Sequence, residues 1–326
     1  MDEYQIKTKV VGVDISNEST TYAIVDIRGN ILAEDNFPTT DYPDVNNFVT
    51  TLSDKIVTLV EANGGYETIR SIGVSSPSAS SVSGCIENAA NLPWKGIVPL
   101  SAMLRDRIGL AVGLSNDAHV SALGEYTFGS AHGMKNFIIL SLGVGLGSCF
   151  FSAGNDHTGH HGYAGEFGHT CVVNHGRKCG CGQEGCLEAY AGAAGIINTA
   201  KELMAESNKA SLMRELDKLS PRTIKECCDQ GDELAIEVYR RTGEILGLGL
   251  ANYASIVDPE AIILTGGISH AGKYLLDPTW QTFEDHVFGN MRGKVKILVS
   301  KLDDRERDVL GASALAWSVP EYSLFK

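Results

Sequence analysis

Four residues with metal-binding side chains fall close together in the chain: His169, Cys179, Cys181 and Cys186. One imidazole and three thiols form a ligand set that zinc takes in tetrahedral structural sites. Glycines at 176, 180, 182 and 185 let the backbone fold tightly around a small ion. A closed site of this kind has no open position for chemistry, so the ion is expected to act as a clamp. What it would clamp is His169 itself and the carboxylates of Glu166 and Glu188 at the ends of the stretch. Three unconnected thiols in a Gly-rich loop are the plain alternative, and a histidine at usable distance argues against it. His157, His160, His161 and His175 are read as polar loop residues.

A second group lies earlier. Ser115-Asn116-Asp117 follows an apolar run and opens a helix-forming one. A carboxylate at a strand end can take a proton from a hydroxyl. The same pair also suits a helix cap without chemistry.

The elements that position these groups follow from periodicity. Residues 9–15 form an apolar strand that carries Asp14, and strands over 20–26 and 31–36 follow. Residues 45–62 have helical spacing through Phe48, Leu52, Ile56, Leu59 and Val60. Strands over 69–75 and 111–114 alternate with helices over 99–108 and 117–128. The pattern then restarts. Residues 136–141 form a strand, 143–147 a glycine loop and 148–152 another strand. Such self-similarity suggests two related halves. Later come helices over 189–204, 223–230 and 233–254, strands over 256–265 and 294–300, and a helix over 309–317.

Bulk properties narrow the function. The chain has 326 residues, a net charge of −13 and eight cysteines. The length suits two ordinary domains, and the acidity argues against a nucleic-acid surface. The start, Met-Asp-Glu-Tyr-Gln, is not a secretory signal, so reduced thiols and a cytoplasmic location are expected. No run is long and apolar enough to span a membrane.

The stretch Gly-Glu-Phe-Gly-His, followed by Cys-Gly-Cys-Gly-Gln-Glu-Gly-Cys-Leu-Glu, resembles the signature of the ROK sugar kinases and repressors. The resemblance runs from about residue 8 to 317. It implies an α/β, two-domain, actin-like or hexokinase-like ATPase fold, ribonuclease H-like in each half, with the active-site cleft between domains. By pattern the smaller domain is placed at 1–119 plus 311–326 and the larger at 120–310. It also implies ATP-dependent phosphorylation of a hexose or N-acetylhexosamine at the 6-hydroxyl, with Asp117 as general base. Asn91 of the Asn-Leu-Pro-Trp segment, Asn116, Asp117, Glu166, His169 and Glu188 would contact the sugar. Asp14, Gly143, Gly145, Gly147, Gly266 and Gly267 would serve ATP, and Asp14 would hold Mg²⁺ through water. The structural Zn²⁺ would sit on His169, Cys179, Cys181 and Cys186. The partners implied are a small-molecule sugar and further copies of the chain, as a homodimer or homotetramer. The DNA-binding segment of the family's repressors is not expected, because the first strand begins near residue 9.

The departures lie on the nucleotide side. Where the family's first phosphate loop reads Asp-x-Gly-Gly-Thr, Asp14 is followed by Ile15-Ser16-Asn17-Glu18. A glutamate 4 Å from a phosphate would cost about 4 kcal/mol at an effective dielectric near 20. Two arrangements are open: Glu18 beside the nucleotide's own charge, or the loop turned so that Glu18 points outward and the Ser16, Ser19 and Thr20 hydroxyls serve the phosphate. Val144 replaces a threonine in the second loop, and Ser75-Ser76-Pro77-Ser78 stands where the family has a glycine-richer turn. Two readings follow: a sugar kinase with an unusual phosphate loop, or a kinase-impaired sugar-binding protein or sensor.

Overall fold

The computed structural model describes residues 6–89, 91–160, 162–303 and 306–320. The chain divides into two compact units, Met1–His132 with Leu302–Lys326, and Gly133–Lys301.

The first unit opens with β1 (Lys9–Ile15), β2 (Ser19–Asp26) and β3 (Ile31–Pro38), then α1 (Val45–Ala62) and β4 (Ile69–Ser75). Three short strands, β5 (Ala79–Ser80), β6 (Cys85–Glu87) and β7 (Ile97–Val98), form a small sheet of their own. Next come α2 (Leu100–Ile108), β8 (Ala111–Ser115) and α3 (Asp117–Thr127). The main sheet has the order β3-β2-β1-β4-β8. β1, β2 and β3 are antiparallel neighbours, whereas β4 and β8 run parallel to β1.

The second unit repeats this plan with β9 (Phe137–Leu142), β10 (Leu146–Ser152), β11 (Asn155–Asp156), β12 (Ala261–Thr265) and β13 (Lys296–Val299), in the order β11-β10-β9-β12-β13. The senses match as well: the first neighbours are antiparallel and the last two strands parallel to β9. The two related halves expected from the sequence are therefore present. Its helices are α4 (Glu188–Ala191), α5 (Ala193–Glu206), α6 (Pro221–Asp229), α7 (Glu233–Val257) and α8 (Lys273–His286). The chain ends on α9 (Arg307–Ser318), which belongs to the first unit.

Strand β1 shows why its sequence is apolar almost throughout. Val11, Val13 and Ile15 pack with Phe48, Leu52 and Ile56 of α1 on one face. Val10 faces Val309, Leu310 and Ala316 of α9 on the other. A strand buried on both faces has no polar side to display. Gly12, Gly73 and Gly113 stand in register across β1, β4 and β8. A Cβ on Gly12 would lie 2.5 Å from Val309 O, and one on Gly73 would lie 1.9 Å from Ala312 O. The glycine row thus lets α9 lie directly on the sheet, with its N-terminus toward the ends of the strands. In the second unit Gly243 and Gly247 of α7 play the same part against α8, where a Cβ would meet Leu275 O at 2.7 Å and Thr279 O at 2.4 Å.

Several boundaries differ from the sequence reading. α7 runs on to Val257 and stops at Asp258 in left-handed geometry, φ 50°. The strand expected over 256–265 is therefore shortened to β12. Gly192, extended at ψ 168°, breaks the helix expected from 189 into α4 and α5. α8 was not expected and carries Pro278 inside it. The first unit also extends beyond residue 119 and resumes at 302 rather than 311, because α3 packs on α9. Among the described residues no helix is long and apolar enough to cross a membrane.

Substituting Gly73→Ala sets a methyl group against backbone atoms, Ala312 O at 1.9 Å and Ala316 N at 2.7 Å. It is expected to cost about 3 kcal/mol or more. At Gly113 the new Cβ meets the Val319 Cγ2 side-chain atom at 2.6 Å, which can move; Gly113→Ala should cost less than about 1.5 kcal/mol. Urea unfolding midpoints of the two variants check the difference.

Candidate functional site

Sheet register fixes the groups contributed by the first unit. Asp14, Ser75 and Ser115 stand opposite one another at the C-terminal ends of β1, β4 and β8. Asn116 and Asp117 follow directly. Asn116 caps α3, its Oδ1 accepting from Ala118 N at 2.8 Å, and Asp117 Oδ1 accepts from the same N–H at 2.8 Å. The cap and the candidate base are thus one local device, and the cap fixes where the carboxylate stands. Asp117 is exposed and Asp14 half-buried.

Both carboxyls bind their protons more tightly than usual. Loss of surrounding water, then the Asp308 carboxylate and more weakly Asp117, push Asp14 up to about 7, against the Ser75 hydroxyl and the Arg307 guanidinium. Asp117 is also pushed up, first by protein crowding out water. The Ala118 N–H and His119 oppose this, and Asp308 adds to it. Its own surface stays open. Arg307 and Asp308, joined at 3.3 Å, open α9. The sequence reading missed both residues. No motif marks them, and only the packing of α9 on the glycine row brings them near Asp14.

The loop between β1 and β2 closes on itself. Ser16 N donates to Ser19 O at 2.9 Å, Ser16 Oγ donates to the same oxygen at 2.9 Å, and Ser19 N donates back to Ser16 Oγ at 3.1 Å. Glu18 is exposed, in line with the outward-turned alternative. The offer of hydroxyls in that alternative is only partly met. Ser16 is spent within the turn, and Thr20 is buried against Thr39 Oγ1 at 2.9 Å. Asn91 is exposed on a loop that Trp94 anchors, its ring 4.3 Å from Phe48 and its Nε1 donating to Tyr42 O at 3.0 Å.

The second unit carries the cysteine and histidine group. The donor atoms of His169, Cys179, Cys181 and Cys186 all lie within 4.8 Å of one another. Cys181 and Cys186 sulfurs are 3.7 Å apart, and Cys179 Sγ is 3.6 Å from His169 Nδ1. A tetrahedral zinc with ordinary bond lengths sets these edges at about 3.8 Å and about 3.6 Å. The donor set therefore fits zinc in type and in spacing. Burial and the neighbouring sulfurs push the Cys186 thiol up to about 12, a penalty that a coordinated cation removes by holding the thiolate. His157, His160 and His175 are not in this group, and His161 lies outside the described residues.

The flanking glutamates are set by different means. Glu166 is exposed at the start of a short helical turn, Phe167–His169. Phe167 stacks on Tyr253 of α7 at 4.2 Å, and Ser148 Oγ of β10 accepts from Phe167 N at 3.0 Å. Glu188 Oε2 accepts from Leu146 N at 2.9 Å, and a Cβ on Gly145 would come within 2.7 Å of that oxygen. Glycine at 145 thus makes room for a carboxylate. The backbone of Ala193 donates to Gly143 O at 3.0 Å. Together these bonds tie the glycine loop to the segment that ends the metal-ligand group. Arg177 fastens the middle of that segment, donating to Gly195 O and Thr199 Oγ1 at 3.0 Å each while stacking on Tyr190 at 4.7 Å. Ser148, Tyr253 and Arg177 were not singled out from the sequence.

The predicted nucleotide glycines separate into distinct roles. Gly143 and Gly267 line one cleft of about 620 Å³ together with Arg222, Lys225, Tyr239 and His270. Gly266 has φ +82°, and a Cβ there would lie 2.6 Å from Leu142 O, so it shapes the turn from behind. Gly147 lies within β10, paired with Ser141, and not in the loop. The residues from α6 were missed. Ser220 and Thr223 form a capping box that is legible as a helix start, but nothing local connects it to Gly267.

A family model described as the ROK family matches residues 10–319. The glucokinase of Streptomyces coelicolor is 33% identical over 315 residues, covering 94% of this chain and 96% of its own. The xylose repressor of Caldicellulosiruptor bescii is 28% identical over 322 residues, covering 96% of this chain and 80% of its own. Among solved structures, a ROK family glucokinase from Streptomyces griseus in complex with glucose and AMPPNP matches with TM-score 0.77 at 31% identity, covering 95% of this chain and 100% of that one.

The raised carboxyl of Asp14 gives a pH signature. Between the ordinary aspartate range and about 7 the folded chain keeps a proton that the unfolded chain has released. This contribution to stability is present at low pH and is lost as pH rises through about 7. Asp14→Asn removes the penalty of the buried charge. Without added Mg²⁺ or nucleotide it should raise the melting temperature at pH 8 by about 2–5 °C, and the gain should fade toward pH 4. Melting curves of both proteins across that range check the sign.

Proposed function

The chain belongs to the ROK family and has its hexokinase-like, actin-like α/β fold; from that premise we propose that it is an ATP-dependent kinase of a hexose or N-acetylhexosamine, acting at the 6-hydroxyl. The observation that carries the reading is Asp117: an accessible carboxylate, fixed by a helix cap and raised in proton affinity. A protein that merely binds sugar needs no base. A base works best when its pKa approaches the working pH.

In this reading Asp117 takes the hydroxyl proton as the sugar oxygen attacks the γ-phosphorus and the bond to the ADP oxygen breaks. Asn91, Asn116, Glu166, Glu188 and His169 contribute sugar contacts, His169 through Nε2 while Nδ1 faces the thiols. Zinc on His169, Cys179, Cys181 and Cys186 is structural. The adenosine occupies the cleft lined by Arg222, Lys225 and His270, and the phosphates approach the Gly143–Gly145 turn. Asp14 suits Mg²⁺ held through water, because Asp14, Asp117 and Asp308 crowd negative charge together. The ion would neutralise phosphate charge when bound. The bulk of nucleotide affinity then comes from the second unit, since the Ser16–Ser19 turn spends donors on itself.

That turn is also the observation favouring the second reading, a kinase-impaired sugar-binding protein or sensor. The family includes repressors as well as kinases.

ADP release from Mg·ATP across a panel of hexoses and N-acetylhexosamines separates the two. A sugar-dependent rate is expected, with kcat lowered about 10²–10⁴-fold in Asp117→Asn and sugar binding retained. No turnover with any sugar, while one of them still raises the melting temperature, would replace the kinase by a binding protein.

A further inference from the structure

The metal-ligand segment holds one thiol more than a tetrahedral ion uses. Cys171 stands opposite Cys186 in an isolated antiparallel bridge. The hydrogen bonds on either side run from Val172 N to Gly185 O at 2.8 Å and from Leu187 N to Thr170 O at 3.1 Å. That pattern leaves 171 and 186 as the non-hydrogen-bonded pair, the one in which two side chains emerge on the same face at closest approach. Cα atoms in such a pair sit about 4.5 Å apart and Cβ atoms about 4.5–5.5 Å. A disulfide spans Cα distances of about 4.4–6.8 Å and Cβ distances up to about 4.5 Å, so a small closing movement suffices.

The two sulfurs currently point to different partners. Cys186 is buried and lies 3.7 Å from Cys181 Sγ, within the ligand group. Cys171 is exposed, and its Sγ lies 3.6 Å from Val173 O. Position 185 helps keep the space beside Cys171 open. A Cβ there would lie 3.0 Å from the Cys171 sulfur and 1.9 Å from Val173 O. Rotation about the Cα–Cβ bonds of Cys171 and Cys186, with the small closing movement above, brings the two sulfurs together.

We propose that Cys171 and Cys186 form a reversible thiol-modification site for low-molecular-weight disulfides, and that its oxidation withdraws one ligand from the metal. The Cys171 thiolate attacks one sulfur of the disulfide. A mixed disulfide forms on Cys171, the original S–S bond breaks, and the first thiolate leaves with a proton from water. The Cys186 thiolate then attacks the Cys171 sulfur, forming the Cys171–Cys186 bond and expelling the second thiolate. The two cysteines lose two electrons in all, and the small disulfide gains them. His169, Cys179 and Cys181 remain as three ligands, and excess thiol reverses both steps. The disulfide stands on backbone register alone; the loss of metal rests on the zinc reading above, and the test separates the two.

Zinc-replete full-length protein is treated with glutathione disulfide. Zinc release is followed with a chromogenic chelator, and the linkage is mapped by non-reducing peptide mass spectrometry. The expected result is a peptide pair joined through Cys171 and Cys186, with about one zinc released per disulfide and reversal by reduced glutathione plus zinc. Cys171→Ser, on an exposed side chain, should slow zinc release at least about tenfold, whereas Cys85→Ser should leave it unchanged. A mixed disulfide that stops at Cys171, bridges confined to Cys179, Cys181 and Cys186, or release from Cys171→Ser at the wild-type rate would overturn the proposal. A Cys171–Cys186 bridge in protein that binds no zinc would keep the modification site and overturn the metal reading.

Discussion

The sugar side of the proposed site depends on the convergence of four side chains in a stretch with almost no regular structure. Between Thr170 and Leu187 the backbone forms two isolated bridges, Cys171 with Cys186 and Lys178 with Glu184. Turns of this kind do not hold their shape by ladder hydrogen bonds. They hold it by cross-links: Phe167 against Tyr253 at one end, Arg177 in the middle, and the donor group of His169 and three thiols throughout. A cation at that group would close the segment from within. Both ends of the closure then bear on chemistry, since Glu166 and His169 precede it and Glu188 follows it. The link from Glu188 to Leu146 N carries the same constraint into the glycine loop. The proposed substrate contacts and the proposed phosphate-facing turn thus share one scaffold.

The first unit solves a different problem. Its candidate reactive residues sit at the ends of parallel strands, where a carboxylate has few neighbours to restrain it. The glycine row of Gly12, Gly73 and Gly113 allows α9 to press on the sheet, and α9 brings Arg307 and Asp308 to the same ends. Close packing thereby becomes electrostatics. The added carboxylate raises Asp14 and Asp117 together, which suits a base and a group that awaits a cation. Nothing comparable strengthens the β1–β2 turn. Its serine hydrogen bonds make it a well-formed hairpin and a poor phosphate cradle.

What could be read from the sequence was what is local. The candidate metal ligands lie within one short stretch, so their convergence followed from residue type and spacing. The Asn116 cap and Asp117 were legible for the same reason, and the repeated strand-loop-strand plan gave the paired halves. Long-range placement was not legible. Arg307 reaches Asp14 because of glycines whose role depends on sheet register. Arg222, Lys225 and His270 share a cleft with Gly143 because α6 and the turn after β12 are brought together by the second unit's core. α8 was hidden by Pro278, which ordinarily ends a helix. Here the Pro278 ring packs where Gly243 of α7 leaves room, 2.7 Å from the position a Cβ would take. Hydroxyls in the first loop looked available because nothing in their order shows that they bond to one another.

The most direct test of this account is a calorimetric titration of the sugar that the protein binds best, into zinc-replete protein and into protein stripped of zinc under reducing conditions, with metal content verified in both. If the cation closes the segment that sets Glu166, His169 and Glu188, stripping should weaken sugar affinity about tenfold or more, and added zinc should restore it. Unchanged sugar affinity after verified removal would contradict the account, because the contacts would then be held without the clamp on which it relies.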